Sequence, residues 1–203
     1  MILEGIVTTL SQDDVLNIAP MGPEVDSGSN LEQFVLRPYQ TSTTYANLKA
    51  RGEGVFHVTD DVLLLARTAI GTAVKSPPAT READVIEGAI LLDACRYYEF
   101  RVIDLDDRAD RTRIVAETVA KGRHRDFFGF NRAKHAVVEA AILATRTAFL
   151  PIEDLLLEFR KLEVLVHKTG GPSEQAAFQL LYEHLRQAAA ERGLNPDSRP
   201  APP

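Results

Sequence analysis

Cysteine is almost absent from this chain of 203 residues, which contains Cys95 alone. A single cysteine forms no internal disulfide and supplies no cysteine-based zinc cluster. The strand-like residues on either side of Cys95 favour an inert, packed thiol. The five histidines are scattered without the spacing of metal ligands, so we expect no metal site.

Long hydrophobic runs and an excess of basic charge are also missing. No apolar stretch approaches the roughly 18–20 residues that cross a bilayer, and the first five residues lack the basic segment and apolar run of a signal peptide. The formal net charge of −6 gives no electrostatic basis for binding nucleic acid or an anionic membrane. We therefore expect a cytoplasmic protein without nucleic-acid or membrane partners. The basic segment 121–125 still leaves room for a local anion site.

Hydrophobic periodicity predicts a β-rich first part of the chain. Runs with period two, bounded by turn residues, predict strands at 2–10, 15–19, 34–36, 54–59, 89–105 and 112–120. Two short helices are predicted among them, at 43–51, with Gly52 as its C-terminal cap, and at 62–70. The prolines Pro20 and Pro23 are expected to end the second strand, since proline removes a ladder donor.

After residue 126 the hydrophobic period changes to 3.6, which predicts three helices separated at Pro151 and at Gly170-Gly171-Pro172. Their apolar faces contain Ala133, Ala136, Val137, Ala140, Ala141 and Ala144 in the first, Ile152, Leu155, Leu156, Phe159, Leu162 and Val166 in the second, and Ala177, Leu180, Leu181, Leu185 and Ala188 in the third. Strands followed by helices predict an α+β fold. We predict domains at 1–126 and 127–193, and a disordered tail at 194–203.

The segment from Arg37 to Asn47 has the composition of an anion site. The hydroxyl residues Thr41, Ser42, Thr43 and Thr44 precede the predicted helix, whose first turn offers unpaired backbone N–H groups and the positive end of the helix dipole. The Arg37 guanidinium can pair with a phosphate in bidentate fashion. The same residues also suit an ordinary helix cap beside a surface arginine.

A second candidate segment leaves a predicted strand at Asn17, Ala19 and Met21. The proline and glycine that follow allow backbone groups to face a flat ligand, and Met21 offers a polarisable surface for a ring. A strand end with a packed methionine is the simpler alternative.

These segments resemble the ordered signature of flavin-reductase-like split barrels, in which an Asn-Ala-Pro segment, a Thr-rich turn leading to an Asn and a strand after a Gly follow one another. The matching stretches here are 15–21, 43–48 and 54–59. The chain more closely resembles an uncharacterised family of FMN-binding split-barrel proteins known from archaea and some bacteria. That resemblance rests on segments 19–22, 37–39, 42–48, 58–61, 129–136 and 168–171.

The resemblance implies a flavin-reductase-like split β-barrel followed by a small helical C-terminal region, with FMN as cofactor. It also implies a homodimer with flavin near the interface. Arg37 and Thr41–Thr44 would then hold the phosphate, while Asn17, Ala19, Met21 and Asn47 would meet the ribityl chain or ring. His57 departs from the wider pattern, which often has Asn at this position of the strand.

The helix predicted after residue 129 also has a polar stripe. Arg132, His135, Glu139 and Arg146 fall within about 60° of one another at 100° per residue. The stripe can line a flavin site, with His135 as the candidate catalytic residue facing substrate, or it can be an ordinary solvated face.

Three functions remain open on the sequence. The first is an FMN-dependent oxidoreductase that transfers hydride or electrons, with NAD(P)H or another donor and an unknown acceptor; flavin chemistry requires little beyond binding and orientation from the protein. The second is a non-catalytic flavin-binding or sensing module, acting as a homodimer. The third is a structural dimer with an incidental anion site.

Overall fold

The computed structural model describes residues 1–26 and 30–194, without the side chains of Val74 and Lys75. The chain forms two compact units. The first contains Met1–Asp61 and Pro77–Phe128, and the second contains Val62–Ser76 and the chain from Gly129 onward. The predicted boundary after residue 126 divides the chain once and therefore leaves residues 62–76 with the strands. The predicted tail lies, from residue 195, outside the described residues.

The first unit is built on an antiparallel sheet. Its strands are β1 (Gly5–Leu10), β2 (Leu16–Met21), β3 (Gln33–Leu36), β4 (Glu53–Val58), β7 (Arg96–Asp106) and β8 (Arg113–Arg123). They are ordered β2-β1-β4-β7-β8-β3. A separate two-stranded sheet pairs β5 (Thr80–Glu82) with β6 (Ala89–Leu91). The predicted combination of a β-rich first part with helices after it is thus confirmed, and the sheet is antiparallel.

The prediction that Pro20 ends the second strand is wrong. Pro20 lies within β2 and pairs with Ile6 of β1. Strand β2 is at the edge of the sheet and has β1 as its single neighbour. A proline is tolerated there because a missing N–H on the open side of an edge strand removes no ladder bond.

The segment around Glu24 connects the start of the chain to the far edge of the sheet. Glu24 forms isolated bridges with Ile2, which precedes β1, and with Val35 of β3. The backbone N–H of Glu24 donates to Val35 O at 2.8 Å, and the Val35 N–H donates back to Glu24 O at 3.0 Å. The two ends of the strand order therefore approach each other through one short segment.

Aromatic side chains fill the core of the first unit. Phe34, Phe56 and Phe100 come from three different strands and are each at most 2% exposed. The Phe34 ring lies 5.3 Å from that of Phe100, edge to face, and 6.0 Å from that of Phe56. Because aromatic pairs at these separations add to the stabilisation from burial, this cluster holds the strands in register.

The long strand predicted at 89–105 is two strands, β6 and β7, separated by residues 92–95, which begin with a turn. Cys95 is the last of these residues and is fully buried. Its N–H donates to Val58 O at 2.9 Å. Burial raises the pKa of the Cys95 thiol, which agrees with an inert, packed cysteine.

Five helices are found in the described residues, namely α1 (Thr43–Arg51), α2 (Val62–Ala69), α3 (Arg132–Ala144), α4 (Ile152–Thr169) and α5 (Pro172–Glu191). A short 3-10 helix follows α2 at Thr72–Lys75. Helix α1 has the predicted bounds, and Gly52 caps it in the left-handed conformation, at φ 71°, where glycine is favoured.

The second unit consists of α2–α5 around one hydrophobic core. All six predicted core residues of α3 are buried. The predicted faces of α4 and α5 also point inward, although Leu162, Leu180 and Ala188 are only partly buried. Helix α2 adds Val62, Leu65 and Ala66 to the same core, which is why it belongs to this unit.

Candidate functional site

Helix α1 begins with a formed N-terminal cap. Ser42 has extended backbone angles, and its Oγ accepts from the Tyr45 N–H at 3.2 Å. The same Oγ donates to Tyr39 O at 2.8 Å. The Ser42 hydroxyl therefore stabilises the start of the helix, as the simpler interpretation of this segment expected.

The first turn of α1 keeps donors available. Within the described residues, the backbone N–H groups of Thr43 and Thr44 donate to no protein acceptor. The side chains of Thr41 and Thr43 are exposed. Free N–H groups at the positive end of a helix dipole, with hydroxyl donors beside them, suit an anion. This turn fits the phosphate of FMN in its chemistry.

Four polar side chains beneath this turn form one hydrogen-bonded group, here called the Thr9 cluster (Thr9, Asn17, Thr44 and Asn47). Thr9 Oγ1 accepts from Asn17 Nδ2 at 3.2 Å and from Asn47 Nδ2 at 3.0 Å. Asn17 Nδ2 also donates to Thr44 Oγ1 at 3.1 Å. The cluster therefore ties β1 and β2 to the first two turns of α1.

The Thr9 cluster is largely shielded from water. Thr9, Thr44 and Asn47 are 1%, 2% and 5% exposed, whereas Asn17 is half-buried. Buried amides and hydroxyls that satisfy one another hold a single arrangement. The structure thus brings together three of the predicted cofactor-binding residues, Asn17, Thr44 and Asn47.

The other two residues of the predicted ring-facing segment share a face of β2 with Asn17. Ala19 pairs with Val7 and Met21 with Gly5, so both side chains follow the alternation that begins at Asn17. Both are half-buried, and Met21 packs against the aromatic core. Met21 is therefore a packed methionine, as the simpler alternative expected, and part of the Ala19 and Met21 side chains is still accessible.

Arg37 already has a protein partner. Its Nε donates to Glu24 Oε1 at 2.6 Å, and both side chains remain about two-fifths exposed. Exposed ion pairs contribute little stability, so breaking this pair costs little.

A second polar group anchors α1 to the turn between β7 and β8. Tyr45 Oη donates to Asp107 Oδ2 at 2.7 Å, and Lys49 Nζ donates to the same oxygen at 2.8 Å. The hydrogen bond from Lys49, followed by that from Tyr45, lowers the pKa of Asp107. This contact fixes the orientation of the helix whose N-terminus carries the candidate site.

The candidate catalytic residue His135 lies on α3, in the second unit. Its side chain is exposed, and its ring meets that of Phe130 edge to face at 5.8 Å. The phosphate and ring candidates all lie in the first unit. His135 stays a prediction.

His57 has a structural role in β4. Its ring is completely buried, with Nδ1 3.2 Å from Ile6 O, and Nε2 accepts from the Leu91 N–H at 3.1 Å. These contacts place the proton on Nδ1 of a neutral ring. Burial lowers the pKa of His57 to about 3.

Thr9 is not among the residues predicted from the sequence. Its importance follows from the pairing of Thr9 with Asn17 and from its contact with Asn47 of α1. The sequence does show a hydroxyl residue at the end of an apolar strand. Its contact with Asn17, however, can be inferred only once the pairing register of β1 and β2 is known.

Two further properties concern the described part of the chain. Within it, no helix combines the length and apolar character needed to cross a membrane. Among the same residues, no group of three or more His, Cys, Asp or Glu side chains is arranged to hold a metal ion.

Solved structures with similar folds include several flavoproteins. An FMN-bound protein from Methanosarcina mazei has a TM-score of 0.77 and 26% identity, covering 90% of this chain and 94% of that chain. The flavin reductase HpaC, complexed with NADP+, has a TM-score of 0.53 and 20% identity, covering 63% and 83%. Nitrilotriacetate monooxygenase component B from Bacillus cereus has a TM-score of 0.51 and 17% identity, covering 65% and 75%. The last two show a shared fold.

Family models cover most of the chain. The model described as "Protein of unknown function (DUF447) N-terminal domain" matches residues 3–125, and that described as "Protein of unknown function (DUF447)" matches residues 131–183. The Methanosarcina mazei protein carries the same family label. A search of curated proteins found no match. The two models together span both units, and the chain belongs to the DUF447 family.

Proposed function

We propose that this protein binds FMN and acts as an FMN-dependent oxidoreductase, transferring hydride or electrons to an acceptor yet to be identified. The observation that carries the proposal is the open first turn of α1 above the Thr9 cluster. The FMN-bound family member from Methanosarcina mazei, similar over 90% of this chain, supports the same cofactor.

The phosphate is assigned to the first turn of α1. The N–H groups of Thr43 and Thr44 and the hydroxyls of Thr41 and Thr43 provide its donors. Arg37 adds positive charge when it exchanges Glu24 for phosphate. Ser42 contributes mainly by capping the helix, since its hydroxyl already donates to Tyr39 O.

The ribityl chain and ring are assigned to the exposed parts of the half-buried side chains of Asn17, Ala19 and Met21 on β2. Asn17 and Asn47 offer amide groups that the Thr9 cluster holds in place, while Ala19 and Met21 offer a small and a polarisable apolar surface. A preorganised set of this kind lowers the entropic cost of binding.

We also propose that the first unit is a split β-barrel. The paired segment at Glu24, which approaches both Ile2 and Val35, supports partial closure between the two edges of the sheet. The fold shared with flavin reductases supports the same architecture.

Bound FMN supplies the redox chemistry, and the chain's residues bind it, orient it and exclude water. NAD(P)H is the proposed electron donor, as the NADP+ complex of HpaC suggests for that protein. We propose a homodimer with flavin near the interface. His135 remains the proposed substrate-facing residue.

FMN titration tests the phosphate assignment. Arg37→Ala combined with Thr41→Ala is expected to weaken FMN binding by a few kcal/mol, because both side chains are assigned to the phosphate and each charge-assisted hydrogen bond is worth roughly 1.5–3 kcal/mol. The control is Arg101→Ala, which removes an arginine that pairs with Glu53 on another part of the sheet. Equal FMN affinity in the double variant and the control would remove these residues from the site.

The alternative is a non-catalytic flavin-binding or sensing module. The candidate site consists of binding groups, which this function needs as much as the oxidoreductase does. Anaerobic addition of NADPH or NADH to the FMN-loaded protein separates the two functions. Bleaching of the flavin absorbance supports the oxidoreductase; an oxidised flavin after addition of either nucleotide, in protein that dithionite does reduce, supports the sensing module.

A further inference from the structure

A groove at one end of β7 and β8 collects positive charge. Arg96 and Tyr98 of β7 alternate onto the same face as Lys121 and Arg123 of β8, since Arg96 pairs with Arg123 and Tyr98 with Lys121. These four side chains and Gly122 line a groove of about 340 Å³. We propose that this groove is a second anion site, which binds the phosphate or pyrophosphate group of a small molecule.

The charges in the groove are poorly balanced by the protein itself. Within the described residues, Arg96 and Lys121 have no carboxylate partner, and Arg123 has one exposed partner, Asp126, at 3.1 Å. Like charges directly opposite each other on paired strands are destabilising. The pair Arg96 and Arg123 therefore costs folding energy that a bound anion would recover, on a chain whose net charge is −6.

Tyr98 adds a polar donor to the groove. Its ring is 8% exposed and packs against Phe56 in the aromatic core. Its hydroxyl has no hydrogen-bond partner in the described part of the chain, and no buried side-chain oxygen or nitrogen there is left unpaired, so the hydroxyl reaches the groove. A buried ring with a free hydroxyl at its tip is a fixed donor for a ligand.

The chemistry of the lining selects phosphate. Two guanidinium groups can form bidentate hydrogen bonds to phosphate oxygens, and the lysine provides a third, compact charge. A group with two or more negative charges can bind all three cations of the groove, whereas a carboxylate, with one charge, can bind fewer of them.

The groove is separate from the first turn of α1. On β4, Val58 pairs with Arg96, while the Thr9 cluster lies near Gly54, because Thr8 pairs with Val55. Four residues of strand separate these positions, or about 13 Å at 3.3 Å per residue. The single phosphate of FMN cannot occupy both places, so the groove takes the phosphate of another molecule.

Two sources supply this chemistry, namely a nicotinamide dinucleotide and free inorganic pyrophosphate. The dinucleotide source rests on the proposed function; the anion site does not. Calorimetric titration of the full chain with pyrophosphate, NADPH and NADH at low salt compares them directly. Salt should weaken binding, because the contacts are between charges.

The variant Arg96→Gln with Lys121→Gln tests the site. Pyrophosphate binding should weaken by about tenfold or more, given the strength of charge-assisted hydrogen bonds. The matched control is Arg113→Gln, which removes one positive charge from β8 at an arginine that pairs with Asp104; it should bind as the unmodified protein does. Thermal unfolding shows whether the double variant is folded. Lys121→Gln alone changes only an exposed side chain and serves as a second variant if the double variant does not fold.

Pyrophosphate that fails to bind, or binds equally to the double variant and the unmodified protein, overturns the inference. Binding of pyrophosphate alone, lost in the variant, supports it with a free anion as ligand. Tighter binding of NADPH or NADH, lost in the variant, supports it with a dinucleotide.

FMN titration of the same variants keeps the two proposals apart. The groove variants should retain FMN affinity. Loss of FMN binding in them, with pyrophosphate binding unchanged, overturns the inference. An unmodified protein that never binds FMN overturns the proposed function and leaves pyrophosphate titration to decide the groove.

Discussion

A loop and a helix N-terminus of the first unit each bring backbone N–H groups together, and the two places differ in whether a protein group accepts from them. In the loop at residues 84–86, three N–H groups donate to the carboxylate of Glu99, at 2.9 Å from Asp84, 2.8 Å from Val85 and 3.3 Å from Ile86. In the first turn of α1, the N–H groups of Thr43 and Thr44 have no protein acceptor among the described residues. We propose a ligand only at the second place, because there the chain does not supply the anion itself.

Glu99→Ala should give the largest loss of stability. It removes the carboxylate that accepts from the three N–H groups of the loop at residues 84–86, here called the filled loop. Glu99 is completely buried, so three donors lose charge-assisted bonds. We expect the free energy of unfolding to fall by about 3 kcal/mol or more, measured by urea denaturation.

Glu99→Gln is the control, since it keeps the shape and one acceptor oxygen, and it should lose less stability than Glu99→Ala. FMN affinity should remain unchanged in whichever variant folds. A drop in FMN affinity with little loss of stability would contradict the distinction between the filled loop and the open turn.

His57, whose buried ring nitrogens also have protein partners in the first unit, gives a second effect on stability, which depends on pH. Burial lowers its pKa from 6.5 to about 3, so the unfolded chain takes up the proton first as pH falls. The folded state should therefore lose stability from about pH 6.5 downward, by about 2 kcal/mol between pH 7 and pH 5, at 1.4 kcal/mol per unit of pKa difference.

His57→Asn tests this origin, because the amide does not titrate. Its stability, measured by denaturation between pH 5 and pH 7, should be lower at neutral pH but should change less across that range. An equally steep decline in the variant would show that other groups cause the acid sensitivity.

Ser42 tests the other place, the open first turn of α1, and its substitution should give the smallest change in stability. Ser42→Asp and Ser42→Asn both preserve an N-terminal cap, whereas Ser42→Ala should cost about 1 kcal/mol. Ser42→Asp also adds a negative charge beside the proposed phosphate. It should bind FMN more weakly than Ser42→Asn, although both fold equally well; equal FMN affinity would place the phosphate elsewhere.

The sequence predicts those features that local residues determine. The bounds of α1, its Gly52 cap and the buried face of α3 follow from hydroxyl, glycine and alanine positions within a few turns, and an N-terminal cap is one of the two interpretations of the hydroxyl residues. The Arg37–Asn47 segment also stands out locally, because its hydroxyl residues directly precede a helix.

Features that depend on distant pairing could not be predicted in this way. Pro20 continues β2 because that strand lies at the sheet edge, and edge position is a property of the whole topology. Thr9 becomes part of the candidate site only through its contacts with Asn17 and Asn47, which lie 8 and 38 residues away. Likewise, Arg96 and Lys121 share a groove only through the register of β7 and β8.

The central claim is that the open turn of α1 holds a phosphate, and a comparison of FMN with riboflavin tests it most directly, since the two differ only in that group. Titration of the flavin-free protein, followed by flavin fluorescence, should give FMN the tighter binding by about tenfold or more, because each charge-assisted hydrogen bond contributes roughly 1.5–3 kcal/mol. Equal affinities for FMN and riboflavin would contradict the account.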